Sequence, residues 1–170
     1  MKYLVVSDNH GDRDILVQLV DRYKGKVDHM FHCGDSELPS SDELWKNFTV
    51  VTGNCDFDPG FKTEQIVKIG SDTIFMTHGH QSNVRFGLTT LALQAAEKQA
   101  DIALFGHIHQ AVAEMDKGIL FVNPGSISQP RGPIQIPSYA IITSESTYYE
   151  VDYFNRAHKP VEELSVHLSK

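Results

Sequence analysis

Tyr3-Leu4-Val5-Val6-Ser7-Asp8-Asn9-His10 carries an apolar run straight into a carboxylate and an imidazole. Four apolar residues in succession fit a strand covered on both faces. Immediately afterwards, residues 12–23 put Ile15, Leu16, Leu19, Val20 and Tyr23 on one helical face. Asp12 is positioned as the N-cap and Gly25 as the stop. Buried strand, polar turn and amphipathic helix together make the first unit of an α/β protein.

The same arrangement recurs. Residues 28–33 and 48–52 read as strands followed by Gly34-Asp35 and Gly53-Asn54. Residues 66–69 and 73–77 form a hairpin across Gly70-Ser71-Asp72 and lead into His78-Gly79-His80. Residues 88–99 are helical by propensity, and 102–105 form a strand before Gly106-His107-Ile108-His109. Thereafter 111–115, 119–122, 139–143 and 147–153 read as strands, with Asn123-Pro124-Gly125-Ser126 after the second of them. Pro160 and mixed polarity leave the tail, 155–170, open between a packed helix and a free end. A mixed α/β sandwich is expected, and in such sheets ligands gather at the carboxyl ends of strands, where each polar cluster falls.

The 170 residues show no repeat or linker, so one domain spanning 1–170 is expected. With 41% hydrophobic and 22% charged residues, the composition is that of an ordinary globular chain. No apolar run is long enough to span a bilayer, and the run ending at Val6 is too short for a signal peptide. Only Cys33 and Cys55 occur, which suits reduced thiols and a cytoplasmic protein. The net charge of −7 argues against stable nucleic-acid binding. It leaves room for a small phosphorylated substrate once dications add positive charge locally.

Two carboxylates, an amide and several imidazoles suit two divalent metals of borderline softness. Asp8 and His10, two apart, can face one ion, and a single carboxylate such as Asp35 can bridge two metals about 3.5–4 Å apart. Asn54 offers a neutral oxygen, and His78, His107 and His109 offer nitrogens. Taken singly, an Asp after a strand is a turn former and Gly-Asn is a turn. Their joint occurrence, all at strand ends, is what points to a site.

The ordered set Asp-x-His, Gly-Asp, Gly-Asn-x-Asp, His-Gly-His and Gly-His-x-His resembles the calcineurin-like metallophosphoesterase superfamily. Gly53-Asn54-Cys55-Asp56 and Asn123 to Ser126 with Pro130-Arg131 resemble its small YfcE/YsnB-type phosphodiesterases. The resemblance implies a four-layer αββα sandwich of two mixed β-sheets flanked by helices. It implies Asp8, His10, Asp35 and His109 on one metal, and Asp35, Asn54, His78 and His107 on the other. Manganese is the favoured ion, with Zn, Ni, Fe or Co also compatible with the donors. The implied reaction is hydrolysis of a small phosphodiester by in-line attack of a metal-bridging hydroxide.

Many family members carry His after Gly-Asn, where this chain has Cys55. A neutral thiol is a weak donor, so Cys55, with Asp56 to orient or replace it, implies an enzyme more dependent on its leaving group. Asn54 and Asp35 are expected to act in catalysis as well as in binding metal. Arg131 is either a forked phosphate contact or an exposed turn residue, and Arg85 is a weaker candidate. His80 is expected behind the ligands or facing substrate; His29, His32, His158 and His167 fall in no motif and are expected to pack or face solvent. Cys33 is expected to be a core residue. Two other readings remain: a non-catalytic metal-binding scaffold like the retromer subunit of the same fold, and a nucleotide pyrophosphatase or nuclease. A homo-oligomer is also compatible with the β-rich surface after residue 110.

Overall fold

The computed structural model describes all residues, 1–170. The first strand, β1 (Lys2–Val6), is completely apolar beyond Lys2 because both of its faces are covered. Tyr3 and Val5 point into a cluster with Ile74, Met76, Ile102 and Leu104, whereas Leu4 and Val6 point to the other side, against Ile15, Leu16 and Leu19 of α1 (Arg13–Tyr23). The period-2 alternation of a strand thus feeds two cores at once.

Beside β1 lie β2 (His29–His32) and β3 (Thr49–Val50), all parallel. The second half of the chain returns antiparallel through β9 (Ser138–Ser144), β10 (Tyr148–Asn155) and β11 (Val166–Ser169). This completes a six-stranded sheet of order β11-β10-β9-β1-β2-β3. A second sheet has the order β4-β5-β6-β8-β7, from β4 (Glu64–Ile69), β5 (Asp72–Thr77), β6 (Ile102–Leu104), β7 (Ala111–Asp116) and β8 (Ile119–Pro124). The strands β5, β6 and β8 are parallel. On its outer face α2 (Thr89–Glu97) packs Leu91 and Ala95 against Phe75, Ala103, Phe105 and Phe121. The layers therefore run helix, sheet, sheet, helix.

Most elements fall where the sequence puts them. The tail does not: 155–170 forms neither a long helix nor a free end. It turns through a short 3-10 segment, Glu162–Leu164, and adds β11 to the sheet edge. Val161 is buried against the inter-sheet core, with Leu164, Val166 and Leu168 packed beside it. The apolar-polar alternation of Val166-His167-Leu168-Ser169, a single-faced edge strand, spans only four residues, too short a period to stand out. No helix is long and apolar enough to cross a membrane.

Candidate metal centre

The parallel strands of both sheets end on one side of the sandwich, and their exits carry the polar clusters. From the six-stranded sheet come Asp8 and His10 after β1, Asp35 after β2 and Asn54 beyond β3. From the other sheet come His78 after β5 and His107 and His109 after β6. Five of these seven residues sit in the left-handed region: Asp8 (φ 54°), His10 (φ 44°), Asp35 (φ 53°), His107 (φ 69°) and His109 (φ 58°). Asp and His tolerate that conformation better than branched residues, but each still costs energy there. The left-handed step breaks the in/out alternation at the exits of β1, β2 and β6 and so re-aims the side chain.

Two glycines permit the close approach. A Cβ on Gly53 would lie 2.0 Å from Asp35 Oδ1, and one on Gly106 would lie 2.2 Å from Ser7 Oγ and 2.7 Å from Asp8 Oδ2. Only glycine fits either position.

Asp8, His10, Asp35 and His109 bring one ligating atom each to within 4.8 Å of one another. The tautomers can be assigned from the partners of Nδ1. His109 Nδ1 donates to the Gln129 carbonyl (2.8 Å), and His10 Nδ1 donates to Glu37 Oε1 (2.6 Å). Both Nε2 atoms are thereby left with lone pairs, and they face each other at 3.2 Å. Asp8 Oδ1 lies 3.1 Å from His109 Nε2, is buried and has no hydrogen-bond partner. Its other oxygen accepts from the Ser7 hydroxyl and the His107 amide. Lone pairs and an orphaned carboxylate oxygen converging on one point are complementary to a cation.

The second set is partly assembled. His78 Nδ1 donates to the Cys33 carbonyl (2.7 Å), so Nε2 faces Asp35 Oδ2 at 3.3 Å and Asn54 Oδ1 at 3.2 Å. His107 stands edge-on to His78, with ring centroids 5.2 Å apart, while its Nε2 accepts from Arg85 Nε at 3.1 Å. Burial opposes ionisation of Asp8 and Asp35, yet with no metal bound the N–H donation and positive charge that the facing rings supply when protonated outweigh it, and both carboxyls are held below their usual range; a bound cation takes the place of those protons. Burial likewise opposes protonation of His78, but Asp35 and Asp8 raise its net pKa. Burial, with His78 and Arg85 nearby, pushes His107 down to about 4. The residues present therefore fit divalent metal at the first position, with donors for a second beside it.

The remaining site residues divide. Arg131 lines an open pocket of about 270 Å³ together with Arg85, Cys55, Asn54, Asp35, His10, His107, His109 and Gln129. Cys55 donates its backbone N–H to Asp35 Oδ1 (2.8 Å), and burial followed by the Asp35 charge pushes its thiol up to about 11. Asp56 is placed differently from a proton donor. Its Oδ2 accepts from the Asp35 and Gly53 amides and its Oδ1 from the Glu37 amide and the Ser36 hydroxyl, so it staples two metal loops together. His80 lies beside His78 and His107, with ring centroids 5.3 and 6.1 Å away, and its buried Nδ1 has no partner.

Several supporting residues either fall in no motif or, like Asn123 and Ser126, fall in one to which the sequence assigns no role. His32, wholly buried, donates from Nε2 to Asn9 Oδ1 (2.8 Å) and accepts the Gly34 amide at Nδ1 (3.1 Å). A polar residue ending a buried strand demands such partners, and that was the available signal. Glu37 fixes the His10 tautomer from two residues after Asp35, with no pattern to reveal it. The Ser126 and Ser128 hydroxyls donate to the Asp8 and Asn9 carbonyls, and the Asn123 amide donates to the Gly106 carbonyl. The Asn-Pro-Gly-Ser cluster is thus a brace for the metal loops.

A two-sheet sandwich pooling carboxylate, amide and imidazole donors at adjoining strand ends defines a candidate metal-binding α/β protein. Residues 1–147 match the calcineurin-like phosphoesterase superfamily domain, and the chain belongs to that superfamily. It is 40% identical over 164 residues to "Probable metallophosphoesterase YsnB" of Bacillus subtilis (strain 168), covering 96% of each chain. A crystal structure of a conserved uncharacterized protein of Streptococcus pneumoniae TIGR4, described as a predicted phosphoesterase, is 43% identical. It superposes with a TM-score of 0.97 over 99% of this chain and 97% of that one. Wild-type Vps29 of Entamoeba histolytica, solved in complex with Zn²⁺, shares the fold at 22% identity and a TM-score of 0.73, over 100% of this chain and 98% of its own.

Proposed function

We propose that the protein is a metal-dependent phosphodiesterase that hydrolyses a small phosphodiester at a dinuclear site, with manganese the favoured ion. One observation carries the reading: the bare Nε2 atoms of His10 and His109 and the unpartnered Asp8 Oδ1 converge on a single point beside Asp35. When bound there, divalent ions supply a nucleophile at neutral pH and offset charge on the phosphate. The chain's own residues provide the rest. Arg85 and Arg131 line the same pocket and add cationic donors toward phosphate oxygens. The Asn54 amide oxygen is held beside His78, and Asp35 is oriented by the Cys55 amide. Cys55 stands where a proton donor to the leaving group would stand, and as a weak donor it favours substrates whose leaving groups need little help.

The test is hydrolysis of a bis-aryl phosphodiester and of the matching aryl monoester by metal-stripped protein, with and without Mn²⁺. Restoration by Mn²⁺ with faster diester turnover is the expected result. Metal binding without hydrolysis of either ester by any divalent ion would overturn it. That outcome would favour the second reading, a metal-binding scaffold, which rests on the full-length likeness to Vps29 and on Cys55 in the His position.

A further inference from the structure

Beside the metal pocket lies a second open cavity of about 360 Å³, and Cys55 lines both. Its walls are the apolar side chains of Leu38, Pro39 and Phe57. Phe57 is 92% exposed, although nothing in the fold requires a bare phenyl ring next to a polar site. The charged residues along the cavity are all acidic: Glu37, Asp56 and Asp58. Their oxygens are committed locally, Glu37 to His10, Asp56 to the metal loops and Asp58 to the Ser40 and Gly60 amides. They therefore set a negative field, and of their oxygens only Glu37 Oε2 is left without a partner in the protein. Arg85 and Arg131 line the metal pocket but not this cavity.

We infer that this cavity is the subsite for one ester group of the substrate, and that it takes a flat, uncharged aromatic ring such as an aryl group or a nucleobase. The inference rests on the phosphodiesterase reading for the position of the phosphate. With phosphate held among the metal ligands and arginines, an ester group leaving past Cys55 enters the cavity directly. There an exposed aromatic face favours stacking on a ring. The acidic rim disfavours a second phosphate, so diphosphate and triphosphate chains are rejected in that direction.

The experiment is calorimetric binding of phenylphosphonate and methylphosphonate, neither of which is hydrolysed, to Zn²⁺-loaded wild type, Phe57→Ala and Phe57→Tyr. Wild type is expected to bind the phenyl compound roughly tenfold more tightly than the methyl compound, as one aromatic stack allows. Phe57→Ala should erase most of that preference and leave methylphosphonate affinity unchanged, and Phe57→Tyr should restore it. Because the Phe57 ring is solvent-exposed, its removal leaves the core intact. Equal affinity of wild type for the two compounds, no binding of either, or a preference that survives Phe57→Ala would overturn the inference. Hydrolysis of the chromogenic diester is scored separately. Its absence alongside an intact phenyl preference counts against the catalytic reading, and its presence without the preference counts against this subsite alone.

Discussion

Glu37 acts through its neighbour: its carboxylate accepts the hydrogen bond from His10 Nδ1–H and so turns the Nε2 lone pair toward Asp8 and His109. A carboxylate behind a ligating imidazole raises its basicity and fixes its orientation. Glu37→Gln should lower divalent-metal affinity by about tenfold or more while leaving the fold intact, as measured by titration calorimetry with Zn²⁺. Unchanged affinity would reduce the pair to a surface contact. His32 makes a prediction of a different kind. Burial pushes its pKa down to about 4, from 6.5 in an unfolded chain. The unfolded chain therefore takes up a proton first as pH falls, and the contribution of a neutral His32 to stability is lost between 6.5 and 4. Across that whole window the loss approaches about 3 kcal/mol. His29, His80, His107 and His158 shift in the same direction and His78 in the other, so the variant isolates the effect. Urea midpoints of metal-free His32→Gln should depend less on pH between 7 and 4.5 than those of wild type. Equal slopes would show that His32 titrates normally.

At the scale of elements, the sequence was most readable where pattern and punctuation agree. Asp12 accepts the Ile15 amide as an N-cap should, and the chain past α1 turns on Gly25 at φ 78°. Asp12→Ala should cost about 1 kcal/mol, a fall in Tm of roughly 2–4 °C for a chain of this size. Asp12→Asn should retain most of the cap, losing chiefly the exposed pair with Arg156, which is worth little. If both variants melt alike, the ion pair and not the cap is what matters. The seven candidate ligand positions stand out in the sequence because each follows a strand and carries a chemically distinctive side chain, and four of them, Asp8, His10, Asp35 and His109, meet in one cluster. Their supports do not stand out: Glu37, Asn9 and Ser126 are ordinary polar residues whose roles depend on loops meeting across the sheets. Asp56 looked like a neighbour of the chemistry because it is adjacent in sequence, yet its carboxylate points back to brace Asp35 and Gly53. Edge strand β11 escaped for want of length.

For the whole molecule, the placement of the donors makes metal a cross-link between two sheets. Asp8, His10 and Asp35 leave the six-stranded sheet, whereas His109 and His78 leave the five-stranded one. Protein contacts between the sheets are otherwise the shared apolar core and a few polar links, such as Tyr3 Oη donating to Asp72 (2.6 Å) and Tyr153 Oη donating to the Val112 carbonyl (2.8 Å). The first metal position holds one buried carboxylate oxygen without a partner, so filling it removes a penalty as well as forming bonds. A ligand that binds only the folded chain stabilises it by about 2.7 kcal/mol when present at a hundred times its Kd. For a chain of this length that is a rise in Tm of roughly 5–10 °C. Calorimetric melting with excess Mn²⁺ or Zn²⁺ against a chelator should show this rise, and His109→Ala should lose most of it because it severs the donor from the second sheet. Persistence of the full rise in His109→Ala would mean that the ion is held by the six-stranded sheet alone. The two sheets would then be joined by their apolar core, with the site resting on one of them.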